Sequence, residues 1–422
     1  MIKISRINHK IKDKYKGEIL FISSSFLTPT VAFISNVIAT AYIIPSEMGV
    51  YQSIILIGTY VSFLHLGVFN GLNRNIAFYK AQNRNDIVQE QVNTAHSVAQ
   101  IISLVGLLIG AFYMIYIGYL GKGHVYLLTS LLLIFNLVIS PHITQIETTY
   151  RSGQDFKALG FILYKENLLY FLTSLLPIFI GFIGKIISDS TRLIFGFWLR
   201  WKERPIKATD KGTIESGKEL IQTGFPLLLG GYLWSIFVIA DQSLIALKFS
   251  IEDLGIYTLS RLIIIALMFI PTALNAILYP KAANLYGRTG EAFALRSFWI
   301  KSLLLFILII IPLIISAYFL LPIIVNRFMP DYILGLPSAK INLFTGLTFV
   351  SMGPSVILAT LKKNNLYIFT LIFALSIFWG ISYLFPGRFS TLESVAWFKL
   401  FLSSLLSIFI LSYTYYLTKK ND

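Results

Sequence analysis

The chain has 422 residues, of which 56% are hydrophobic and 13% charged, and its mean hydropathy of +0.72 excludes a soluble globular domain. It contains no Cys, and its five His show no metal-ligand spacing, so we predict no disulfide, metal site or cofactor. In a membrane protein the formal charge of +15 indicates orientation against anionic lipid, and we predict no nucleic-acid partner.

Apolar runs of membrane-spanning length follow one another along the chain. The first follows a basic segment and is too long for a signal-peptide core, so we interpret it as a retained helix; cleavage near Ala39–Ala41 is the alternative. Polar residues Ser188–Arg192 interrupt the sixth run, which would also fit a broken or interfacial segment. The predicted fold class is an all-α integral membrane protein with about 12 transmembrane helices. The predicted spans are 18–44, 49–72, 94–120, 124–146, 157–180, 182–200, 219–247, 254–279, 298–322, 335–361, 365–386 and 393–418.

The positive charges lie mainly in alternate connections between these spans. The connections on the side of the N-terminus hold 25 of the 35 Lys and Arg residues, whereas those on the other side hold six. Because cytoplasmic loops carry an excess of Lys and Arg, this distribution predicts that both termini are cytoplasmic.

A polar linker and an internal repeat divide the chain in two. We predict an N-terminal six-helix lobe, 1–200, a cytoplasmic linker, 201–218, and a C-terminal six-helix lobe, 219–422. The segment Ser46–Tyr51 resembles Glu252–Tyr257 at an offset of 206 residues, and a basic segment follows the second span of each half. This pattern predicts two pseudo-symmetric lobes around a central cavity, the alternative being a common tight turn used twice.

Short motifs recur in the order found in a known family. They are Pro45–Tyr51, Leu66–Gly67 leading to Arg74, Gly224–Pro226 through Asp241 to Gly255–Tyr257, and Tyr279–Pro280. In this arrangement the chain resembles Wzx-type polysaccharide-biosynthesis (O-antigen) flippases of the multidrug/oligosaccharidyl-lipid/polysaccharide (MOP) exporter superfamily.

The resemblance implies a MATE-like, V-shaped pair of bundles that works by alternating access in the bacterial cytoplasmic (inner) membrane. The implied substrate is an undecaprenyl-diphosphate-linked oligosaccharide, moved from the cytoplasmic to the outer leaflet. The implied partners are membrane lipid, a coupling cation (H⁺ or Na⁺) and polysaccharide polymerase machinery.

The eighth span carries a polar face that we expect to line the cavity. Arg261 on this face could bind the lipid diphosphate, because the guanidinium fork matches phosphate oxygens. The alternative is that Arg261 extends to the outer headgroups. The face comprises Tyr257, Arg261, Met268, Thr272, Asn275 and Tyr279.

Asp241, late in the seventh span, has three interpretations. It is a counter-charge to Arg261, a protonatable group that couples export to ion entry, or a local hydrogen-bonding group near the interface.

Other charged residues in the first half are also candidates. Asp189 and Arg192 have the i,i+3 spacing of an ion pair, which leaves Lys165 as the freer cation. Lys165 is therefore a candidate substrate contact, the alternative being a structural ion pair between helices. Arg74 would receive the incoming diphosphate or act as a positive-inside anchor. We interpret His65 in the second span as a hydrogen-bonded core residue.

Two other functions compete with a flippase. A cation-coupled multidrug exporter of the same superfamily, with small amphipathic cations as cargo, would favour a carboxylate-rich cavity, whereas the predicted spans contain more cations than carboxylates. A glycan polymerase or ligase would need a catalytic set that the sequence does not display, so we expect the protein not to be an enzyme.

Overall fold

In a computed structural model, the backbone is described for residues 2–361 and 363–419. Side chains are described in the same ranges except for residues 2–15 and five single positions: Ala273, Ala276, Ile277, Pro280 and Asn364. The basic residues before Lys16, Lys362 and Lys420 that entered the charge count therefore lie outside the described side chains, as does Pro280 of the final motif.

The described chain is helical throughout, with short 3₁₀ turns and no strand. Seven helices precede the linker: α1 Ile2–Tyr42, α2 Pro45–Val61, α3 Val68–Ala81, α4 Asn85–Tyr119, α5 His124–Ser152, α6 Phe156–Thr173 and α7 Leu176–Glu203. Eight follow it: α8 Ile214–Lys248, α9 Ile251–Ile256, α10 Thr258–Thr289, α11 Ala294–Phe328, α12 Leu336–Thr348, α13 Met352–Thr360, α14 Asn364–Leu384 and α15 Leu392–Leu417. Each predicted span coincides with at least one of these helices.

Within the described residues, ten helices are long and apolar enough to cross a membrane, and the count is up to eleven if the bent pair α6 and α7 forms one span. The prediction of about 12 spans counted 157–180 and 182–200 as two separate spans, and these are the two that are not among the ten helices. The sequence placed their boundary at Gly181, where α7 does kink at a positive φ of 53°. A second bend, of 115°, lies between Thr173 and Leu176.

The second predicted span, 49–72, is in fact two helices. Leu66 and Gly67 adopt left-handed conformations, with φ of 45° and 86°, after a 3₁₀ turn at Ser62–His65. These residues end the membrane-spanning helix and start α3, whose Gly71 approaches the backbone of Leu220. The basic segment after this span is therefore a separate helix, whereas its counterpart in the second half continues α10.

The chain packs as two compact units. The first contains residues 1–43 and 54–232, and the second contains residues 44–53 and 233–422. The predicted linker lies within the first unit, and the lobe boundaries deduced from the repeat stay a prediction.

In the first unit, small residues allow helices to pack closely. A Cβ on Gly106 of α4 would lie 2.8 Å from the Cβ of Leu137 in α5, and one on Gly110 would lie 2.5 Å from Ile134 Cγ1. Ser103 on the same face donates a hydrogen bond of 2.7 Å to the carbonyl of Val138. Small residues have this role in membrane helix packing, where apolar burial alone does not hold helices together.

The linker is docked on the N-terminal part of α4. The backbone N–H of Thr209 donates to Asn93 Oδ1 at 3.0 Å, and that of Gly212 donates to Ser97 Oγ at the same distance. A Cβ on Gly212 would lie 2.4 Å from the Cα of Thr94, so only glycine fits without a shift. These contacts fix the polar linker against the first unit.

In the second unit, the two copies of the repeat contact each other. A Cβ on Gly49 would lie 1.8 Å from the carbonyl oxygen of Ile251, and one on Gly255 would lie 1.7 Å from the carbonyl oxygen of Pro45. The offset of 206 residues relates both glycines and both carbonyl residues. Helices α2 and α9 therefore cross in a locally two-fold manner, at a separation that requires glycine.

Candidate functional site

The second unit buries a polar cluster around Asp241 of α8. Asp241 is only 3% exposed, and its Oδ2 accepts a hydrogen bond of 2.7 Å from the hydroxyl of Tyr257. That hydroxyl accepts in turn from Asn342 Nδ2 of α12 at 3.0 Å. The cluster joins three helical segments at a carboxylate removed from water.

Lys399 of α15 is the cationic partner of Asp241. Its ammonium lies 4.0 Å from Asp241 Oδ1, donates to the carbonyl of Phe237 and lies 4.0 Å from the centroid of the Phe237 ring. Lys399 is 3% exposed in an apolar core formed partly by Val395 and Ala396. Since Oδ1 makes no hydrogen bond, the pair is loose, and the carboxylate keeps one unsatisfied oxygen.

Arg261 of α10 has a different partner. Its guanidinium donates to the amide oxygen of Gln52, which is 3% exposed in the middle of α2. Among the described residues no carboxylate lies within ion-pair distance of Arg261, and Asp241 pairs with Lys399 instead. A guanidinium has five N–H donors, so Arg261 retains the capacity to bind an anion.

The predicted polar face of α10 is divided between structural and open positions. Tyr257 is buried against Asp241. Asn275 donates a hydrogen bond of 3.1 Å to the carbonyl of Met352, while its own Oδ1 is buried without a hydrogen-bond partner. Tyr279 is 48% exposed. The face is therefore not a single lining surface.

The first unit contains a buried network of acids and arginines. Arg200 of α7, 2% exposed, donates to Glu166 of α6 at 2.6 Å and to Glu147 of α5 at 2.6 Å. Arg192 bonds the other oxygen of Glu166 at 3.2 Å. Two carboxylates and two guanidinium groups thus neutralise each other across three helices.

Asp189 forms an ion pair with Lys185, and Arg192 forms one with Glu166. Asp189 lies 3.0 Å from Lys185, one turn earlier on α7, and accepts a hydrogen bond of 2.9 Å from Tyr170 of α6. Lys185 is 1% exposed. The polar stretch 188–192 is therefore part of α7 and does not interrupt it; Ser188 is buried, and residues 189–192 are partly buried.

The remaining charged candidates lie at the surface of the first unit. Lys165 is exposed on α6, next in sequence to buried Glu166. Arg74 is exposed on α3, near Tyr79. The hydroxyl of Tyr79 donates a hydrogen bond of 2.8 Å to Glu219. This hydrogen bond raises the pKa of Tyr79.

A partly open pocket of about 80 Å³, with a mainly apolar lining, lies in the first unit. His65 lines it, and because the Gly67 N–H donates to its Nδ1 at 3.1 Å, the neutral imidazole carries its proton on Nε2. The pocket is large enough to hold water, and its few polar side chains are the groups that would bind it. Its lining residues include Ser62, His65, Phe69, Asn136, Ser140 and Thr144.

Comparison with known proteins identifies the family. A family model described as "Polysaccharide biosynthesis protein" matches residues 42–331, which is more than half of the chain. The chain belongs to this polysaccharide biosynthesis family. The resemblance deduced from the motifs is confirmed, although no curated sequence matches the chain significantly.

Solved structures of MOP superfamily transporters share the fold. An inward-facing multidrug resistance MATE transporter has a TM-score of 0.70 and 14% identity, over 92% of this chain and 93% of that one. A MOP superfamily transporter from Pyrococcus furiosus, reported to have a binding pocket of reverse polarity, has a TM-score of 0.61 and 14% identity, over 96% of this chain and 97% of that one. An outward-facing multidrug resistance MATE transporter has a TM-score of 0.59 and 14% identity, over 95% of this chain and 95% of that one. This polysaccharide biosynthesis protein is thus a multi-pass membrane protein with a transporter fold.

Sequence analysis missed several charged residues of this polysaccharide biosynthesis protein. Arg200 was counted in a cytoplasmic connection and Lys185 in an external one, whereas both are buried. Helical spacing was the available signal, because charged and small residues recur every three or four positions along one face of α7. That face comprises Lys185, Asp189, Arg192, Gly196 and Arg200.

Proposed function

We propose that this polysaccharide biosynthesis protein is a flippase for an undecaprenyl-diphosphate-linked oligosaccharide. It moves the repeat unit of an O-antigen, capsule or related glycan from the cytoplasmic to the outer leaflet of the bacterial inner membrane. The family description and the exporter fold support a membrane step in polysaccharide synthesis. Alternating access provides the route, coupled to entry of a cation.

Arg261 is the observation that carries the choice of cargo. A cation in a membrane helix is costly unless it faces protein, water or a counter-charge. Arg261 donates to the neutral amide of Gln52 and has no carboxylate within ion-pair distance in the described part of the chain. A diphosphate would supply the missing negative charge and several acceptor oxygens. Arg74, Lys165 and Asn275 remain proposed substrate contacts, and Asp241 the proposed coupling residue.

Genetic complementation tests this role of Arg261. Replacing Arg261 by Ala should lower export about 10- to 100-fold, because a hydrogen bond to a charged group contributes about 1.5–3 kcal/mol. Lipid-linked oligosaccharide should accumulate in the cytoplasmic leaflet of a gene-deletion strain that carries this variant, with loss of surface glycan. Arg261→Lys should give an intermediate result, because Lys keeps the charge and loses the fork.

The matched control is Arg288→Ala, since Arg288 is exposed near the end of the same helix. It should export normally. Normal surface glycan with Arg261→Ala at normal protein level would contradict the assigned role. Unchanged lipid-linked pools on deletion of the gene would contradict the flippase itself.

A multidrug exporter of small amphipathic cations is the second candidate, because the solved structures with this fold include multidrug transporters. Its cargo would need accessible carboxylates. In the first unit, Glu147, Glu166 and Asp189 are each paired with a basic side chain. If deletion of the gene sensitised cells to cationic drugs and left the glycan intact, this candidate would replace the flippase.

A further inference from the structure

We infer that the ammonium of Lys399 takes the position of a metal cation beside Asp241, so that the ion exchanged at this carboxylate is a proton and not Na⁺. The inference rests on the coupling role proposed for Asp241. It concerns only the second unit, which contains both residues.

The groups around Asp241 are donors, whereas a metal ion needs acceptors. Oδ2 is occupied by the hydroxyl hydrogen of Tyr257, and Asn342 presents its amide nitrogen to that hydroxyl. The carbonyl of Phe237 accepts from Lys399. Hard cations are bound by several oxygen ligands at once. The amide oxygen of Asn342 accepts from Thr345, so among the described groups named here Asp241 Oδ1 is the oxygen without a hydrogen bond.

Lys399 already provides the charge that a bound metal ion would provide. Its ammonium lies 4.0 Å from Oδ1, and the two side chains are 4% exposed each, so the buried pair is neutral overall. A bound Na⁺ would have to share Oδ1 with this ammonium, whereas the net charge of the core would rise by one with either Na⁺ or a proton, so the ligands and not the charge distinguish the two ions.

A proton can use the oxygen that a metal ion cannot. A proton taken from water forms one O–H bond at Oδ1 and makes the carboxyl neutral, while Tyr257 keeps its hydrogen bond to Oδ2. The Lys399 ammonium retains the carbonyl and ring of Phe237 as partners. Release of the proton to water restores the ion pair.

The other groups that face Asp241 limit what else could titrate. The α9–α10 junction contributes Tyr257, α15 contributes Lys399, and α12 contributes the neutral amide of Asn342. Helix α14 contributes apolar residues to the same core, among them Phe378. Within the described residues the exchange is therefore assigned to Asp241 and Lys399.

Ion binding by the purified full-length protein tests the inference without an assay of transport. Thermal unfolding in detergent should show no Na⁺-dependent shift for the wild type. Replacing Lys399 by Gln removes the ammonium and supplies an amide oxygen, so K399Q should gain a Na⁺-dependent rise in unfolding temperature. The double variant D241N/K399Q should lose that rise. A Na⁺-dependent rise in the wild type that D241N abolishes would overturn the inference, even if K399Q failed to fold.

Proteoliposomes provide the second measurement, with undecaprenyl-diphosphate-linked oligosaccharide as the probe. A pH gradient without Na⁺ should accelerate flipping by the wild type, and a Na⁺ gradient at symmetric pH should not. Acceleration by Na⁺ alone, or by neither gradient, would overturn proton exchange and leave the flippase in place. Absence of any flipping, together with unchanged lipid-linked pools in the deletion strain, would refute the proposed function, whereas the Na⁺-binding result would still decide the ion.

Discussion

At the scale of single residues, the two units use buried charge differently. In the first unit Arg200 is held by Glu147 and Glu166 at 2.6 Å each. In the second, Asp241 and Lys399 are 4.0 Å apart, and Asp241 keeps an oxygen without a hydrogen bond. Complete pairing suits a structural role, whereas incomplete pairing leaves a group able to change its charge state.

The Arg200 network should therefore control stability. Replacing Arg200 by Met leaves carboxylates buried without their full counter-charge, which should cost about 3–5 kcal/mol of unfolding free energy. Arg151 pairs with the same Glu147 at 3.0 Å, but its side chain is 53% exposed. Arg151→Met is thus a matched control, expected to cost about 0–1 kcal/mol. Unfolding temperatures of the purified variants measure the difference, and equal temperatures would contradict a structural role for the network.

At the scale of helices, close crossings depend on glycine. The crossing of α2 and α9 should not tolerate a side chain, because a Cβ on Gly255 would lie 1.7 Å from the carbonyl oxygen of Pro45. Gly255→Ala should destabilise the protein by at least about 1–3 kcal/mol, the usual cost of overpacking. The control is Gly380→Ala in α14, where a Cβ meets nothing within 4 Å. That variant should be neutral or more stable, since Ala favours helix. A thermal shift assay compares them, and equal tolerance of both changes would refute the role of the crossing.

Helix positions could be predicted from the sequence because each apolar run must satisfy its backbone hydrogen bonds within the membrane. Helix partners could not be predicted in the same way. Gly181 was a local signal for the break within α7, and Pro177, in the first turn of α7, was one for the bend between Thr173 and Leu176. The angle of 115° between α6 and α7 had no such signal. The same limit applies to the site. Asp241 was recognised as a costly charge, but its partner Lys399 lies 158 residues away, and only the folded chain brings them together.

At the scale of the whole molecule, the distribution of positive charge supports a cytoplasmic position for both termini. The buried positions of Lys185 and Arg200 remove one residue from each side of that count. The asymmetry of 25 against six therefore becomes 24 against five, and its direction is unchanged. Orientation stays a prediction that can be tested directly.

The absence of native Cys makes this chain suited to single-cysteine labelling. Lys122, in the connection between α4 and α5, and Lys207, in the docked linker, are both exposed. If both termini are cytoplasmic, Lys122→Cys faces outward, and a membrane-impermeant maleimide should label it in intact cells. Lys207→Cys should be labelled only after permeabilisation. Ser24→Cys is the control for burial, because Ser24 is 0% exposed and should stay unlabelled in both cases. The opposite pattern for the two lysine positions would invert the topology and, with it, the direction in which the proposed flippase moves its substrate.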